Sequence, residues 1–164
     1  MQTKQDQSAK TMQMRQTAQV LHPIAPTYDA HSRILILGSF PSVKSREMGY
    51  FYGHPQNRFW KVLSNVCADG LPCSIEERRA FLLRHHIALW DVIASCTITG
   101  SSDSSIRDVR VNDLSRILRE ADIRRIYVNG KKAEQLYKRH TYEQTQIQAV
   151  VLPSTSPANA AWSL

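Results

Sequence analysis

The sequence contains no apolar run long enough to cross a membrane, and it contains very little cysteine. Its 164 residues include no stretch of about eighteen consecutive apolar residues. The first nineteen are polar and rich in glutamine, without the apolar segment of a signal peptide. The three cysteines, Cys67, Cys73 and Cys96, form no CxxC pair, which disfavours a disulfide framework or a cysteine-ligated cluster. We therefore expect a soluble, cytoplasmic protein with reduced thiols and no membrane partner.

A metal site also lacks suitable ligand spacing. Cys67, Cys73, His85 and His86 are the residues from which a zinc site could be assembled, but five residues separate the cysteines and the histidines are adjacent within a predicted helix. Structural zinc sites usually take cysteine pairs about two to four residues apart and histidines about three to five apart. We therefore expect no metal.

Negative charge is scarce. The chain has 14 acidic residues against 21 Lys and Arg, which gives a formal net charge of +7. A small basic domain favours polyanionic partners such as a phosphate backbone. Part of the excess lies between residues 107 and 139, where a solvated helical face explains it equally well. Between residues 44 and 61 basic and aromatic residues interleave, which is typical of nucleic-acid binding.

Apolar strands alternate with helical segments over most of the chain. The strand-like segments are RILIL, IALWDVI, RIYVNG and QIQAVVLPS; the helical ones are NRFWKVLSNVC, IEERRAFLLRHH, VNDLSRILREA and KKAEQLYKRH. Ser74 and Glu77 predict a capping box at the start of the second helix. The alternation predicts an α/β fold with a parallel sheet covered on both faces. SCTITGSSDSSIRD is predicted to be a long polar loop, residues 1–20 a disordered extension and residues 21–164 a single domain.

The segment RILILGSFPSVKS is similar to a phosphate-binding P-loop but lacks its essential glycine. Lys44 and Ser45 stand where a P-loop has its Lys-Ser pair, yet Val43 precedes the lysine. A glycine is required there because the backbone must wrap the phosphates without a Cβ in the way. Pro41 removes a further backbone donor. A nucleoside-triphosphatase is therefore disfavoured.

Two loops have an unusual composition: GSFPSVKSREMGYFYGHPQN, residues 38–57, and PSTSPAN, residues 153–159. Both follow predicted strands, and ligands of parallel sheets bind beyond the carboxyl ends of the strands. Small residues allow a backbone to approach a ligand closely, and hydroxyls and amides contact phosphates. Tyr50, Phe51 and Tyr52 can stack on a base or pack into the core. Together the loops predict a site that handles nucleic acid at the level of the base.

Several motifs in order resemble one family. LILGSFPSVKSREMGYFYGHPQNRFWKVL, DVIASC, GSSDSSIRD, NDLSRIL and LPSTSPANA are similar to segments of the DNA-deoxyinosine (hypoxanthine-DNA) glycosylases of the uracil-DNA glycosylase superfamily. The resemblance implies a three-layer α/β/α sandwich with a short, mainly parallel central sheet. It also implies base excision repair of deaminated bases without a metal or other cofactor, on double-stranded DNA and with no obligate protein partner. A bacterial member would be nucleoid-associated.

The resemblance assigns roles to particular residues. The residues that match the first superfamily motif, whose backbone lines the base pocket, are Gly38, Ser39, Phe40 and Pro41. Tyr52 falls where a stacking aromatic is found, and Asn57 matches the asparagine implicated in catalysis. The second motif, which presses on the DNA backbone and minor groove, comprises Pro153, Ser154, Thr155 and Ser156. Further DNA contacts are expected from Ser42, Lys44, Ser45, His54 and Arg58.

The departures from the uracil enzymes bear on the substrate. Ser39 and Phe40 stand where those enzymes bring an acid or amide for the attacking water, and Leu152 replaces a histidine aimed at a pyrimidine carbonyl. Asp103 is the most plausible carboxylate for the site, although it could instead cap its own loop. We expect a monofunctional glycosylase that excises hypoxanthine. The alternatives are a uracil-DNA glycosylase of broad deaminated-base scope and a catalytically silent damaged-DNA-binding domain.

Overall fold

The computed structural model describes residues 18–159. Its strands are β1 (Ala18–Leu21), β2 (Ile34–Gly38), β3 (Ile87–Asp91), β4 (Ile93–Ile98), β5 (Arg107–Val111), β6 (Arg125–Asn129) and β7 (Ala149–Leu152). Its α-helices are α1 (Val43–Met48), α2 (Phe59–Val66), α3 (Ile75–Arg84), α4 (Ser115–Glu120), α5 (Lys131–Leu136) and α6 (Tyr142–Thr145). A 3₁₀ turn covers Asp103–Ser105, and a π-helical turn, Tyr137–Thr141, joins α5 to α6.

A four-stranded parallel sheet lies at the centre, in the order β3-β2-β6-β7. Alternate side chains of β2 point to opposite faces, because successive residues of a strand do so. Leu35 and Leu37 pack with β4, α4 and α5 on one face, whereas Ile36 packs with α2 and α3 on the other. This arrangement confirms the predicted α/β architecture with helices on both faces of a parallel sheet.

Local signals in the sequence account for several elements. The capping box before α3 is formed as predicted: the Ser74 side chain accepts from the Glu77 N–H, and the Glu77 carboxylate accepts from the Ser74 N–H. Tyr50 and Phe51 are buried in the core, so the aromatic triplet is divided between the core and the pocket described below. None of the helices within residues 18–159 combines the length and apolar character required to span a membrane.

A second, antiparallel sheet corrects part of the sequence analysis. The predicted polar loop SCTITGSSDSSIRD contributes to β4 and β5, which pair antiparallel, and only the connection around the 3₁₀ turn is irregular. The prediction missed these strands because β4 buries Cys96 and Ile98 among polar neighbours. Residues 18–20, assigned to the disordered extension, pair with β4 as part of β1. The remainder of that extension, residues 1–17, lies outside the described residues.

Candidate active site

A pocket of about 370 Å³ opens at the carboxyl ends of the parallel strands. It is bounded by the two loops singled out in the sequence, which we call the first loop (residues 38–57) and the second loop (residues 153–159), together with the ends of β3 and β6. The fold thus brings together segments almost 100 residues apart in the chain. All six residues predicted to bind the base or to act on it line this pocket: Gly38, Ser39, Phe40, Pro41, Tyr52 and Asn57.

The first loop begins at Gly38, where the backbone passes very close to neighbouring side chains. A Cβ at this position would stand 2.4 Å from Asp91 Oδ1 and 2.9 Å from Tyr52 Oη, so any other residue would have to displace these side chains. The Gly38 carbonyl accepts from the Val92 N–H at 2.8 Å, and the Ser39 carbonyl accepts from the Ile93 N–H at 3.1 Å. These bonds fix the start of the loop against the junction of β3 and β4.

Tyr52 has a constrained backbone and a buried hydroxyl. Its φ of 52° lies in the left-handed region, and its ring stacks on Phe59 with 4.0 Å between centroids. The hydroxyl is buried close to the Asn129 side chain, although no group among residues 18–159 makes a hydrogen bond of good geometry with it. Burial raises the pKa of Tyr52 far above its ordinary value, and the charge of Asp91 raises it further. The interaction with Asn129 opposes this rise without reversing it, so the group stays protonated.

Asn57 lies where the first loop turns into α2. Its Oδ1 accepts from the Phe59 N–H at 3.0 Å, which stabilises the beginning of the helix. Within the described chain, no group accepts from its Nδ2, and the side chain lines the pocket. Asn57 therefore caps the helix and also presents a polar group to the pocket.

Asp91 and His22 were missed in the sequence analysis. Asp91 closes β3 beside Gly38, with 4% of its surface exposed, and its Oδ2 lies 2.7 Å from His22 Nε2. His22 follows β1, at the beginning of the segment that leads into β2. An acid at the end of the apolar run IALWD was the available signal. It was not used, because strand ends cannot be paired from sequence periodicity alone.

Asp103 stands at the pocket rim, on the 3₁₀ turn between β4 and β5. Its Oδ1 accepts from Ser39 Oγ at 3.1 Å. Asp103 is exposed to solvent at the rim, but partial desolvation by the surrounding walls raises its pKa; the charge of Asp91 acts in the same direction, whereas Ser39 and Lys132 oppose the rise. The carboxyl group expected from the sequence is therefore beside the first loop and is a weaker acid than an ordinary aspartate.

Arg58 holds the second loop from within. Its Nη2 donates to the carbonyls of Ser154, Ser156 and Asn159, at 3.4, 3.2 and 2.8 Å respectively. The Arg58 N–H also donates to the carbonyl of Thr155 at 3.0 Å. The side chain that the resemblance placed on DNA thus has a structural role, and a phosphate contact by Arg58 stays a prediction.

Asn129, at the end of β6, is a second anchor for the same loop. Its Nδ2 donates to Thr155 Oγ1 at 3.0 Å, and its Oδ1 accepts from the Thr155 N–H at 3.2 Å. Because both ends of one amide engage one residue, the loop is fixed in orientation as well as position. Ser154, Thr155 and Ser156 line the pocket, while Pro153 is exposed beside it.

The remaining predicted DNA contacts differ in accessibility. Ser42 caps α1, Lys44 is exposed and lies 3.5 Å from Glu47, and His54 lines the pocket. Ser45 is different, because it is 2% exposed and its Oγ accepts from the Gly53 N–H at 3.0 Å. Its hydroxyl holds the first loop together, and a direct contact with DNA is not supported by this geometry.

Comparison with known proteins places this architecture in one family. Residues 25–164 match the family model described as the uracil DNA glycosylase superfamily. The chain is 37% identical over 140 residues to a Methanosarcina acetivorans protein named hypoxanthine DNA glycosylase, covering 82% of this chain and 85% of the relative. A Methanosarcina barkeri protein of the same name is 34% identical over 140 residues, with the same coverage of both chains.

A solved structure agrees with the fold. The solution NMR structure of a Methanosarcina acetivorans protein superposes with a TM-score of 0.74 at 33% identity and covers 86% of this chain and 88% of that one. The resemblance stated from the motifs and the predicted three-layer fold are confirmed by these matches. This chain belongs to the uracil DNA glycosylase superfamily.

Proposed function

We propose that this protein is a monofunctional DNA glycosylase that excises hypoxanthine from deoxyinosine in double-stranded DNA during base excision repair. The observation that carries the proposal is the pocket in which the two loops meet, since it gathers every residue predicted to act on the base. Its volume of about 370 Å³ suits one nucleobase and lies within the roughly 300–1,000 Å³ of small-ligand sites. The names of the two Methanosarcina relatives support hypoxanthine as that base.

The target base reaches such a pocket only after it leaves the helical stack. An enzyme that acts on a base flips the nucleotide out and reads the edge of the base inside the site. The main chain of Gly38–Pro41 provides the close approach, and the ring of Tyr52 provides a wall for the purine. Flipping costs least at a weak pair, so inosine in a mispair is the favoured substrate.

Hydrolysis then needs a positioned water and a stabilised leaving group. A water oxygen bonds to C1′ of the sugar, the bond from C1′ to the purine nitrogen breaks, and its electron pair leaves with the base, which takes up a proton. Positive charge grows on the sugar in the transition state, so groups that orient water and tolerate this charge are favoured. Asn57 orients the water, and Asp103 accepts its proton. No lysine is assigned as a nucleophile, so the DNA strand stays intact.

DNA is held around the pocket by the second loop and by exposed cationic groups. Lys44 is exposed on α1 and suits a phosphate contact. His54 Nδ1 accepts from the Gln56 N–H at 3.1 Å, so the neutral ring carries its proton on Nε2 and can donate to a phosphate. The second loop, rigid through Arg58 and Asn129, presents Pro153–Ser156 to the backbone and minor groove.

Product analysis tests this function. Labelled duplexes that carry inosine, uracil or xanthine at one position are incubated with the protein, treated with alkali and resolved by length. We expect alkali-dependent cleavage at inosine, and Asn57→Ala serves as the matched inactive control. Cleavage at uracil alone would instead identify a uracil-excising enzyme. Binding without cleavage at any base would identify a silent damaged-DNA-binding domain.

A further inference from the structure

Asp103 lies on the connection between β4 and β5, residues 99–105, which we call the rim turn. Most of these residues are exposed. Within the rim turn, Ser105 Oγ accepts from the Thr99 N–H at 2.9 Å and donates to the Ser102 carbonyl at 2.6 Å. These bonds fix the shape of the rim turn but not its distance from the pocket, so that distance depends on contacts with the first loop.

Two hydrogen bonds join the rim turn to α1, which lies within the first loop. The Val43 N–H donates to Ser101 Oγ at 2.9 Å, and Arg46 Nη2 donates to the Gly100 carbonyl at 3.1 Å. The second bond is charge-assisted, and such bonds are stronger than those between neutral groups. Gly100 has a φ of 59°, in the left-handed region that favours glycine, and in this conformation its carbonyl meets the guanidinium group. Arg46 is therefore a charged attachment of the rim turn to α1.

Arg46 itself is held by an aromatic ring packed against it. Its Cζ lies 5.5 Å from the centroid of the Phe40 ring, a cation–π contact, and Phe40 is 9% exposed. The Phe40 ring packs in turn against the ring of His22, with centroids 5.7 Å apart. Because Phe40 is fixed in this way, the guanidinium group has a defined position from which it holds the rim turn.

The hydrogen bonding of Arg46 is not the arrangement that stability alone would favour. Its Nη1 is buried and has no hydrogen-bond partner among residues 18–159. A buried donor of a charged group destabilises the fold when it lacks a partner. An apolar side chain at this position would avoid that cost, but it could not donate to the Gly100 carbonyl. What Arg46 contributes is therefore the position of the rim turn.

We propose that Arg46 is a positioning residue for base excision: by holding Gly100, it keeps the rim turn where Asp103 can accept the proton of the attacking water. The inference rests on the proposed function, which assigns that role to Asp103. A proton acceptor must come within hydrogen-bond reach of the proton, and a displacement of about 1 Å can lower a rate about a hundredfold. Arg46 is not among the residues that line the pocket, so it acts through Asp103 and not on the substrate.

Arg46→Met tests this role, because methionine keeps an unbranched stem against Phe40 but removes every donor. We expect single-turnover excision of inosine at pH 7 to fall by at least about tenfold, since the rim turn loses its charged attachment. DNA affinity should change little, and the melting temperature should stay the same or rise, because the buried donor without a partner is gone. Arg46→Lys keeps a cationic donor for the Gly100 carbonyl and should recover part of the rate.

A double-mutant cycle separates positioning from a general structural role. If Arg46 acts through Asp103, Arg46→Met should cause no further loss in a protein that already carries Asp103→Asn. The decrease in rate at acidic pH should also be smaller in Arg46→Met than in the wild-type protein, since the residual activity depends less on Asp103. A merely structural Arg46 would lower the rate by the same factor in both backgrounds and would leave the pH profile unchanged. The matched control is Arg79→Met, which removes a guanidinium group from the face of Tyr50 and should leave the rate unchanged.

Amide hydrogen exchange tests the attachment without any measurement of activity. Exchange in residues 99–105 should accelerate in Arg46→Met and not in Arg79→Met. Unchanged exchange in Arg46→Met, a normal excision rate in the same variant, or an equal loss in both backgrounds of the cycle would each overturn the inference. A wild-type protein that excises no base would overturn the proposed function. Faster exchange in Arg46→Met would then still support the contact between Arg46 and the rim turn.

Discussion

Gly38 and Asp91 end neighbouring parallel strands in register, so that the backbone of one residue touches the carboxylate of the other. The contact exists because residue 38 has no side chain: a Cβ there would stand 2.4 Å from Asp91 Oδ1. Any residue other than glycine at this strand end would fill the space with its side chain. Here the missing Cβ leaves open space at the floor of the pocket.

Gly38→Ala should therefore damage both the fold and the site. The added Cβ displaces the Asp91 carboxylate and strains its bond to His22, which should cost about 1–3 kcal/mol of unfolding free energy, as overpacking does. We also expect at least a tenfold loss of inosine excision. Thermal melts and single-turnover rates measure the two effects. Gly70→Ala is the control, since nothing lies within 4 Å of a Cβ there. Normal activity in Gly38→Ala would refute the close approach.

Asn57 caps α2, and substitutions can separate this role from the catalytic role that we propose for it. Asn57→Ala should lower single-turnover inosine excision by roughly a hundredfold or more, the loss of about 2.7 kcal/mol of transition-state positioning, with little change in DNA binding. It should also lower stability by about 1 kcal/mol, because the Phe59 N–H loses its acceptor. Asn57→Asp keeps that acceptor and should retain the melting temperature. A fully active Asn57→Ala protein with only a lowered melting temperature would leave the residue as a helix cap alone.

Asp103 should set the acidic limit of the reaction. Because partial desolvation raises the pKa of Asp103, its carboxylate becomes protonated at a higher pH than an ordinary aspartate, near 3.9, would require. The single-turnover rate should fall as the pH drops through this raised pKa. Asp103→Asn should lower the rate at neutral pH and abolish that acidic limb. If Asp103→Asn still shows the decrease in rate at acidic pH, another group is responsible for it.

The ionised Asp103 carboxylate, which the reaction requires, should lower the stability of the folded protein. A carboxyl group whose pKa is higher in the folded chain than in the unfolded one destabilises the fold above that pKa, and the penalty disappears as the pH falls through it. Asp103→Asn should therefore melt at the same temperature as the wild-type protein or higher at pH 7. A melting temperature that stays the same or rises, together with a lower excision rate, would indicate that Asp103 serves the reaction and not the stability of the fold.

Arg58 should act through the second loop more than through direct contact with phosphate. Arg58→Gln removes the donor that three carbonyls share, so amide exchange in residues 153–159 should accelerate and DNA affinity should fall. The dependence of binding on salt should stay unchanged. Lys44→Gln, at an exposed cation, should instead reduce the log–log salt slope by about 0.9, the value for one phosphate. If Arg58→Gln reduced the salt slope by a similar amount, Arg58 would instead be in direct contact with a phosphate.

The sequence predicts the framework of this site because strand periodicity and loop composition are local signals. Buried runs separated by helices imply parallel strands, and parallel strands bring their following loops to one rim. The position of the first and second loops around one pocket follows from that rule. The capping box at Ser74 and Glu77 is equally local and forms as predicted.

The parts that the sequence did not predict depend on pairing across the fold. The position of the Asp91 carboxylate depends on the strand register that places it beside Gly38. It also depends on the hydrogen bond with His22, 69 residues earlier in the chain. From the sequence, Arg58 is predicted to be a cation available for DNA. In the structure its guanidinium group donates to carbonyls of the second loop, almost 100 residues later in the chain. The antiparallel pairing of β4 and β5 was hidden by polar residues on their exposed positions. The contacts of Asp91 and Arg58 are long-range and no local pattern encodes them, whereas β4 and β5 are consecutive strands whose polar residues conceal the pairing.

The most direct measurement of the central claim identifies what leaves the DNA. A duplex with one labelled deoxyinosine is incubated with excess protein, and the released material is separated by chromatography before any alkali is added. We predict free hypoxanthine in a one-to-one ratio with abasic sites, on strands that remain intact until alkali treatment. Release of the nucleoside or nucleotide, or strands already broken before alkali, would contradict hydrolysis of the glycosidic bond as the reaction of this pocket.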